Sequence, residues 1–308
     1  MEKHKIIVAY DFQDLSNAAL KQAYKLAEFV NSGILLLLVF NDDLLTLSEV
    51  FKNDHSDRMK KKITDVMESE IAVRLKEITE KASAESGVTV DFRIETGKIY
   101  EQILAIAKEN KARFIVMGRT AKESDRGKFG SNALHVVEQA PCPVITIPSA
   151  ECVDTFQNIV LPIDLTKQTR EEVFNAISFG LNFDATIHLV SVIMGGIPAR
   201  KSRIYKKMQG MKEMIEENGV KCTEQLFKRS NKSIHDVILT YTKDINADAL
   251  MIMTHRAINT SDKYIGAVAH QIITESSISV ISLTSAASMH KQSTKMSFWY
   301  RKLFSAGK

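Results

Sequence analysis

The segment Phe114-Ile115-Val116-Met117-Gly118 is a short apolar run that ends on a glycine, and this pattern predicts a buried strand. A polar stretch follows, and Gly130-Ser131 then begins a helical pattern. The chain continues through Ala140-Pro141-Cys142-Pro143 into a second apolar run, Val144-Ile145-Thr146-Ile147. A strand that leads through a loop to a helix N-terminus directs free backbone N–H groups and the positive end of the helix dipole at one point. The segment therefore predicts an anion-binding site.

The chain contains this order of elements twice. Each half opens with an apolar run that ends on an aspartate, Asp11 in the first and Asp164 in the second, and an amphipathic helix follows. Nearly continuous apolar strands come next, whereas the third strands, 88–94 and 221–228, alternate and are expected at more exposed positions. A repeated β-α-β-α-β-α-β-α-β order predicts right-handed crossovers and a parallel, doubly wound sheet in each half.

Length and composition are those of a globular protein with two domains. The chain has 308 residues, of which 44% are hydrophobic and 25% are charged. Its 41 basic and 37 acidic residues nearly balance, so the net charge of +4 does not argue for a nucleic-acid partner. The three cysteines form no C-x-x-C pair, which indicates a reducing compartment. We find no signal-peptide pattern, and the longest apolar run is too short for a bilayer, so we expect a cytoplasmic protein.

The element order and the glycine motif resemble the universal stress protein family. In that family a Gly-x2-Gly-x9-Gly-Ser/Thr loop holds the phosphates of an adenine nucleotide. The resemblance implies an α/β chain of two tandem, doubly wound, five-stranded parallel sheets with helices on both faces, of the adenine nucleotide alpha hydrolase-like class. We expect a first domain over residues 1–150, a degenerate second domain over 151–286 and a basic, aromatic tail over 287–308.

The family resemblance also implies how the two halves associate. The last strand of the family fold commonly pairs across a dimer interface. In a tandem chain this pairing is expected inside the molecule, between 144–147 and 280–283, which would make the chain a pseudo-dimer. A homodimer of such chains and unidentified protein partners stay open.

The candidate site lies where open parallel sheets bind ligands, outside the carboxyl ends of the strands at the point where the topology reverses. The ends of the first, second and fourth strands converge there. The resemblance assigns the first aspartate to the adenine, the end of the second strand to its apolar wall, and the Gly-Ser turn to the phosphates. The predicted nucleotide-binding residues are Asp11, Val39, Met117, Gly118, Arg119, Gly130, Ser131 and Asn132. The implied ligand is ATP or another adenine nucleotide, with or without Mg²⁺.

The loop departs from the family pattern. Ala121 stands where the second glycine is expected, and the loop is one residue short. Residues 119–129 carry four cations and two anions, which suits a polyphosphate but is also common in solvated loops. Ser131 can act as a helix N-cap or as a phosphate donor. Two functions therefore stay open: a stress-response module that binds an adenine nucleotide and signals through protein contacts, or a nucleotide-free scaffold with a relic loop.

The second half has lost more of the motif. Thr254 stands at the place of Gly118, and Ala267 replaces the serine after Gly266. The spacing between the two motif positions is nevertheless the same twelve residues in both halves. We expect this half to contribute surface and core to the pairing of the halves.

The sequence lacks the catalytic and nucleotide-binding motifs of several common enzyme classes. It contains no H-E-x-x-H, G-x-S-x-G or P-loop pattern, so we predict a protein that is not an enzyme, although the resemblance permits slow ATP hydrolysis. His188 is expected to be a hydrogen-bonded core histidine, and Cys142 a buried, inert thiol. Residues 41–62 are expected to be a solvated linker, with a lid or interaction loop as the alternative. The tail is expected to pack on the protein itself, with docking on a membrane surface or a partner as the alternative.

Overall fold

The computed structural model describes residues 4–41, 56–119, 130–151, 156–164, 170–193, 203–228, 231–254 and 266–284. The elements of the first half are β1 (Lys5–Ala9), α1 (Asp14–Val30), β2 (Gly33–Phe40), α2 (Ser56–Ser86), β3 (Val90–Thr96), α3 (Ile99–Glu109), β4 (Phe114–Gly118), α4 (Ser131–Gln139) and β5 (Val144–Ile147). Those of the second half are β6 (Asn158–Pro162), α5 (Arg170–Phe183), β7 (Thr186–Ile193), α6 (Arg203–Glu217), β8 (Cys222–Lys228), α7 (Ile234–Asp244), β9 (Ala249–Thr254), α8 (Ala267–Glu275) and β10 (Ser279–Thr284).

The strands of both halves form one continuous sheet in the order β3-β2-β1-β4-β5-β10-β9-β6-β7-β8. Neighbouring strands within each half are parallel, and β5 and β10 pair antiparallel at the centre, with Ile145 opposite Ile281. The fold class and the internal pairing of the two last strands are confirmed. The two predicted five-stranded sheets are thus halves of a single ten-stranded sheet, an arrangement that fits a pseudo-dimer.

Alternate side chains of the strands feed two separate cores, as a doubly wound sheet requires. Ile6 and Val8 of β1 face the core that α1, α2, α5 and α6 cover. Ile7 faces the opposite core, beneath α3, α4, α7 and α8. The long apolar runs of the sequence form strands because both of their faces are buried in this way.

The edges of the sheet are β3 and β8, the two strands whose alternating pattern predicted exposure. Charged pairs lie along both edges. Arg93 of β3 donates to Glu109 at 2.9 Å, and Lys212 of α6 contacts Glu224 of β8 at 2.9 Å. Charged side chains on an edge strand oppose pairing with another chain.

Five phenylalanines from both halves pack together on the face covered by α1 and α5. Ring centroids lie 5.3 Å apart for Phe29 and Phe183, 6.0 Å apart for Phe114 and Phe179, and 5.0 Å apart for Phe156 and Phe183. Phe179, only 2% exposed, contacts rings of both halves. This aromatic cluster supplements the β5–β10 pairing with apolar area buried between the halves.

The predicted linker and the predicted tail lie partly or wholly outside the described residues. α2 begins at Ser56, so the last part of the predicted linker 41–62 is helical, while residues 42–55 lie outside the described part of the chain. The tail after residue 284 also lies outside it. Within the described residues, no helix combines the length and the apolar character needed to cross a membrane.

Candidate functional site

The topology of the first half reverses between β1 and β4. Helices α1 and α2 cover one face of the sheet, whereas α3 and α4 cover the other, so the connections that leave the carboxyl ends of β1 and β4 diverge. The register pairs Val8 of β1 with Val116 of β4, and therefore the ends of the two strands lie at similar height. This is the crevice in which open α/β sheets bind ligands.

The turn between β1 and α1 is tight and strained. The exposed carboxylate of Asp11 accepts a hydrogen bond from the backbone N–H of Gln13 at 3.0 Å. Phe12 has φ +64°, and its ring contacts Tyr10 at 5.3 Å and the Arg74 guanidinium at 5.1 Å. The other described non-glycine residues with positive φ lie one or two residues after helices, where such a conformation is common. Left-handed backbone at a bulky residue costs free energy and often accompanies functional sites.

Val39 and Met117 lie near the ends of the strands on either side of β1 and contribute to the core beneath α3 and α4. Val39 is half-buried, whereas Met117 is 6% exposed. An apolar wall beside the crevice is therefore present at Val39. Met117 contributes mainly to the core, because its side chain is almost inaccessible to solvent.

Gly118 is the point of closest approach between β4 and the first turn of α1. A Cβ atom at this position would lie 2.7 Å from the Cβ of Leu15, closer than real side chains come. The glycine is thus explained by space rather than by an unusual backbone angle. Its structural role exists without any ligand.

The N-terminus of α4 has no side-chain cap. Gly130 is the N-cap residue and Ser131 is the exposed first residue of the helix, so of the two roles open to Ser131 the N-cap role is taken by Gly130. The N–H groups of Ala133 and Leu134 bond to the carbonyl of Gly130, at 3.0 and 3.2 Å. The N–H groups of Ser131 and Asn132 precede the first intrahelical donor, Ala133, so they have no acceptor within the helix and can serve an anion.

By contrast, α7 satisfies its own N-terminus. Ser233 accepts from the N–H of Asp236, and the Asp236 carboxylate accepts from the N–H of Ser233, which together form a capping box. Hydrogen bonding from Ser233 lowers the pKa of Asp236. Helices α1, α3 and α8 also begin without a side-chain cap, so α4 is distinguished by its position after the strand at the topological switch point and not by the missing cap alone.

Arg119, the residue after β4, is bonded to the second half. Its N–H donates to the carbonyl of Ile147 on β5 at 2.7 Å. Its guanidinium Nη1 donates to the carbonyls of Ile273 and Ser276, at 3.0 and 2.7 Å, where α8 ends. These carbonyls belong to the group that a helix leaves without intrahelical partners, and a cation there complements the helix dipole.

Gln22, a residue that the sequence did not single out, reaches the same connection between α8 and β10. Gln22 of α1 exchanges hydrogen bonds with the hydroxyl of Ser279 at 3.2 and 3.3 Å. Both side chains are buried, and Ser276 and Ser279 are fully inaccessible to solvent. A polar residue among the apolar positions of α1 was the available signal, but its partner is 257 positions away.

One group of side chains near α7 and α8 could hold a metal ion. The Nε2 atom of His235 lies 3.7 Å from an oxygen of Asp236 and 3.6 Å from an oxygen of Glu275. The other oxygen of Asp236 accepts from Ser233 at 2.6 Å, and Ser233 also contacts the His235 ring. These groups already satisfy one another as a helix-cap network, so we assign no metal to them.

His188 is hydrogen-bonded, as expected, but it is half-buried and not fully buried in the core as expected. Its ring bridges Thr223 at 2.8 Å and Asn158 at 3.2 Å, on the two neighbouring strands. The side-chain amide oxygen Oδ1 of Asn158 can only accept, so Nε2 of His188 carries the proton in the neutral ring. Burial lowers the pKa of His188, while the charge of Asp248 opposes the shift.

The thiols of Cys142 and Cys222 are buried and chemically quiet. Burial raises the pKa of each to about 12, so both remain neutral thiols at ordinary pH. The expectation that Cys142 is buried is confirmed.

The corresponding region of the second half has a different chemistry. Thr254 ends β9, and its hydroxyl donates to the carbonyl of Leu283 at 3.0 Å, inside the protein. α8 begins after Gly266 without a side-chain cap, but Ala267 offers no hydroxyl there. The second half thus uses its counterpart of Gly118 to bond neighbouring strands.

Comparison with known proteins gives consistent matches over nearly the whole chain. The model of the universal stress protein family matches residues 3–148 and 155–283. Universal stress protein MJ0531 of Methanocaldococcus jannaschii is 27% identical over 144 residues, which make up 46% of this chain and 81% of that protein. A universal stress protein structure from Archaeoglobus fulgidus superposes with a TM-score of 0.70 at 17% identity, covering 92% of this chain and 99% of that one. A functionally unknown protein from Pseudomonas aeruginosa gives a TM-score of 0.66 at 15% identity, covering 94% and 95%.

Proposed function

The chain belongs to the universal stress protein family, and we propose that its first half binds an adenine nucleotide at the carboxyl ends of β1 and β4. The observation that carries the proposal is the N-terminus of α4, which has no side-chain cap and follows the strand that ends at the topological switch point. Backbone N–H groups and the helix dipole together favour a phosphate at such a position.

In the proposed complex, the carboxylate of Asp11 accepts from the exocyclic amine of adenine, and Val39 and Met117 form the apolar side of the base pocket. The phosphates bind at Gly118 and along the start of α4. That start consists of Gly130, Ser131 and Asn132.

Arg119 has a more limited part in the proposed complex. Its backbone N–H and its guanidinium are both bonded to protein carbonyls. We therefore assign Arg119 to holding the start of the loop rather than to binding a phosphate directly. Bound nucleotide would then be signalled through protein contacts, and we assign no catalytic residue.

The test begins with the purified protein. Denaturing it should release a stoichiometric adenine nucleotide that chromatography identifies, or else calorimetric titration with ATP, with and without Mg²⁺, should show saturable binding. Absence of both results would contradict the proposal.

The sharpest variant is Ser131→Pro. Proline is favoured at the first position of a helix, and Gly130 already has φ −58° and ψ 130°, which suits a residue before proline. The variant therefore keeps the helix but loses both the hydroxyl and the N–H donor. We expect at least a tenfold loss of ATP affinity, because a hydrogen bond to a charged group contributes about 1.5–3 kcal/mol.

Matched controls come from the second half. Ala267→Pro makes the same change at the first position of α8, and Asp164→Ala repeats Asp11→Ala after the first strand of that half. ATP affinity should fall in Ser131→Pro and Asp11→Ala and stay unchanged in both controls. Equal losses in the two halves would contradict a site in the first half.

A nucleotide-free scaffold is the second candidate, and one observation favours it. Asp11 and Gly118 both have structural roles, in the β1–α1 turn and against Leu15, that need no ligand. Ala121, which replaces the expected glycine, lies outside the described residues. Absence of nucleotide in the first experiment would favour this candidate.

A further inference from the structure

The connection between α8 and β10 is held by two side chains of the first half. Arg119 bonds the carbonyls of Ile273 and Ser276, and Gln22 bonds the hydroxyl of Ser279. We call residues 276–279 the α8–β10 junction. Its serines make further internal bonds, since the Ser276 hydroxyl donates to Ile278 O at 2.8 Å and accepts from Ile278 N–H at 3.2 Å.

Arg119 connects this junction to the proposed nucleotide site. It directly follows Gly118, the end of β4, and its N–H bonds Ile147 of the central strand β5. One residue therefore joins the proposed phosphate site to both central elements, β5 through its backbone and the α8–β10 junction through its side chain. A displacement of the Gly118 backbone moves the N–H of Arg119, because the two belong to one peptide unit, and so acts on the bond to Ile147 and on the base of the side chain that holds the junction.

We propose that nucleotide binding in the first half is energetically coupled, through Arg119, to the α8–β10 junction of the second half. This regulation rests on the proposed nucleotide site. Because coupling between two sites is reciprocal, a ligand that favours one position of Gly118 changes the stability of the junction, and loosening the junction changes the affinity for the ligand. The second half thereby becomes the part of the molecule that reports the state of the first.

Arg119→Met tests the coupling because methionine retains an apolar stem and removes all the guanidinium donors. In the wild-type protein, saturating ATP should change the hydrogen exchange of the amides of residues 276–280. In Arg119→Met this ATP response should disappear, and the Kd for ATP should rise by about fivefold or more, the usual range of such coupling. Arg119→Lys should restore little of the response, since an ammonium lacks the planar fork of the guanidinium.

Gln22→Met separates coupling from direct phosphate binding. Gln22 belongs to α1 and bonds the junction from its other end, at Ser279. If the junction and the site are coupled, this variant should also weaken ATP binding; if Arg119 simply binds phosphate, it should not. Arg93→Met is the matched control, because Arg93 lies on the edge strand β3 and pairs with Glu95 of that strand and with Glu109 at the end of α3. The Arg93→Met variant should leave both readouts unchanged.

The possible outcomes distinguish the two proposals. ATP binding in the wild-type protein without any change in exchange at 276–280 would overturn the coupling and leave the nucleotide site standing. An ATP response that persists in Arg119→Met, or an unchanged Kd in Gln22→Met, would do the same. Failure of the wild-type protein to bind ATP by calorimetry would overturn the nucleotide site and, with it, the coupling.

Discussion

The same connection is built differently in the two halves. Between α4 and β5 the first half has Ala140-Pro141-Cys142-Pro143, whereas between α8 and β10 the second half has Ser276-Ser277-Ile278-Ser279. Prolines restrict the backbone by themselves. Two of the three serines, Ser276 and Ser279, are buried, and their hydroxyls are satisfied by bonds to the junction itself and to Gln22. The connection in the first half is restricted by its own prolines, whereas the connection in the second half is held partly by a side chain of the first half.

The residues at the candidate site also differ from their counterparts in the second half. Gly118 of the first half leaves space that α1 approaches, while Thr254 of the second half bonds Leu283 of the next strand. The first half keeps an exposed serine at the start of α4, and the second half has an alanine at the start of α8. The first half thus keeps the glycine and the exposed serine on which the proposed nucleotide site depends, whereas the second half has a threonine that bonds the next strand and an alanine without a hydroxyl.

The largest expected effect is at the centre of the sheet, where the two halves are most alike. Ile145 and Ile281 oppose each other and are fully buried. Ile145→Asp places an unpaired charge there and should lower the free energy of unfolding by more than about 4 kcal/mol, as measured by urea denaturation. Val73→Asp on α2 is the control, because Val73 is 58% exposed. Near-wild-type stability of Ile145→Asp would contradict the central pairing.

The aromatic cluster should give the next largest effect. Phe179→Ala removes a ring that contacts Phe29 and Phe114 of the first half as well as Phe156 and Phe183 of the second. We expect the free energy of unfolding to fall by about 3–5 kcal/mol in denaturant titrations, the usual cost of such a core truncation. A loss below about 1 kcal/mol would mean that the cluster contributes little to holding the halves together.

Gly118→Ala and Thr254→Ala compare the two site positions directly. The first forces a Cβ against Leu15 and should cost about 1–3 kcal/mol of unfolding free energy by overpacking. The second removes one buried hydrogen bond to Leu283 and should cost about 1 kcal/mol. Denaturant titrations of both variants check the order. A larger loss at Thr254 would reverse our interpretation of the two positions.

The smallest effect concerns pH and belongs to the second half. The folded state favours neutral His188 because burial lowers the pKa of its ring below 6.5. The stability that the neutral ring of His188 contributes is therefore fully present above the pKa that this histidine has in the unfolded chain. It is lost as the pH falls through the lowered pKa of the folded state. The stability difference between wild type and His188→Gln should shrink from pH 7.5 towards acid. A difference that grows towards acid would show a raised pKa instead.

The sequence predicted the strands and their order well because long apolar runs with a regular repeat have few other ways to be buried. Pairing of β5 with β10 was implied by the family resemblance, in which the last strand pairs across an interface, applied to the two halves of one chain. The sequence left open whether Ser131 is the N-cap of α4, because glycine and serine are both frequent at that position. The bonds of Arg119 could not be predicted, since its partners are backbone carbonyls 154 and 157 positions away, and backbone acceptors leave no residue-specific signal.

The covalent link between the halves has a consequence for how this molecule can diverge. Two separate subunits associate only as far as dilution allows, and each substitution appears on both of them. Here the halves share one chain, so they meet at an effective concentration on the order of millimolar, whatever the amount of protein. A substitution at residue 119 occurs once per pair of halves, and a self-complementary interface is no longer required. Joining the copies therefore permits an asymmetric assembly in which an arginine on one side meets a helix end on the other.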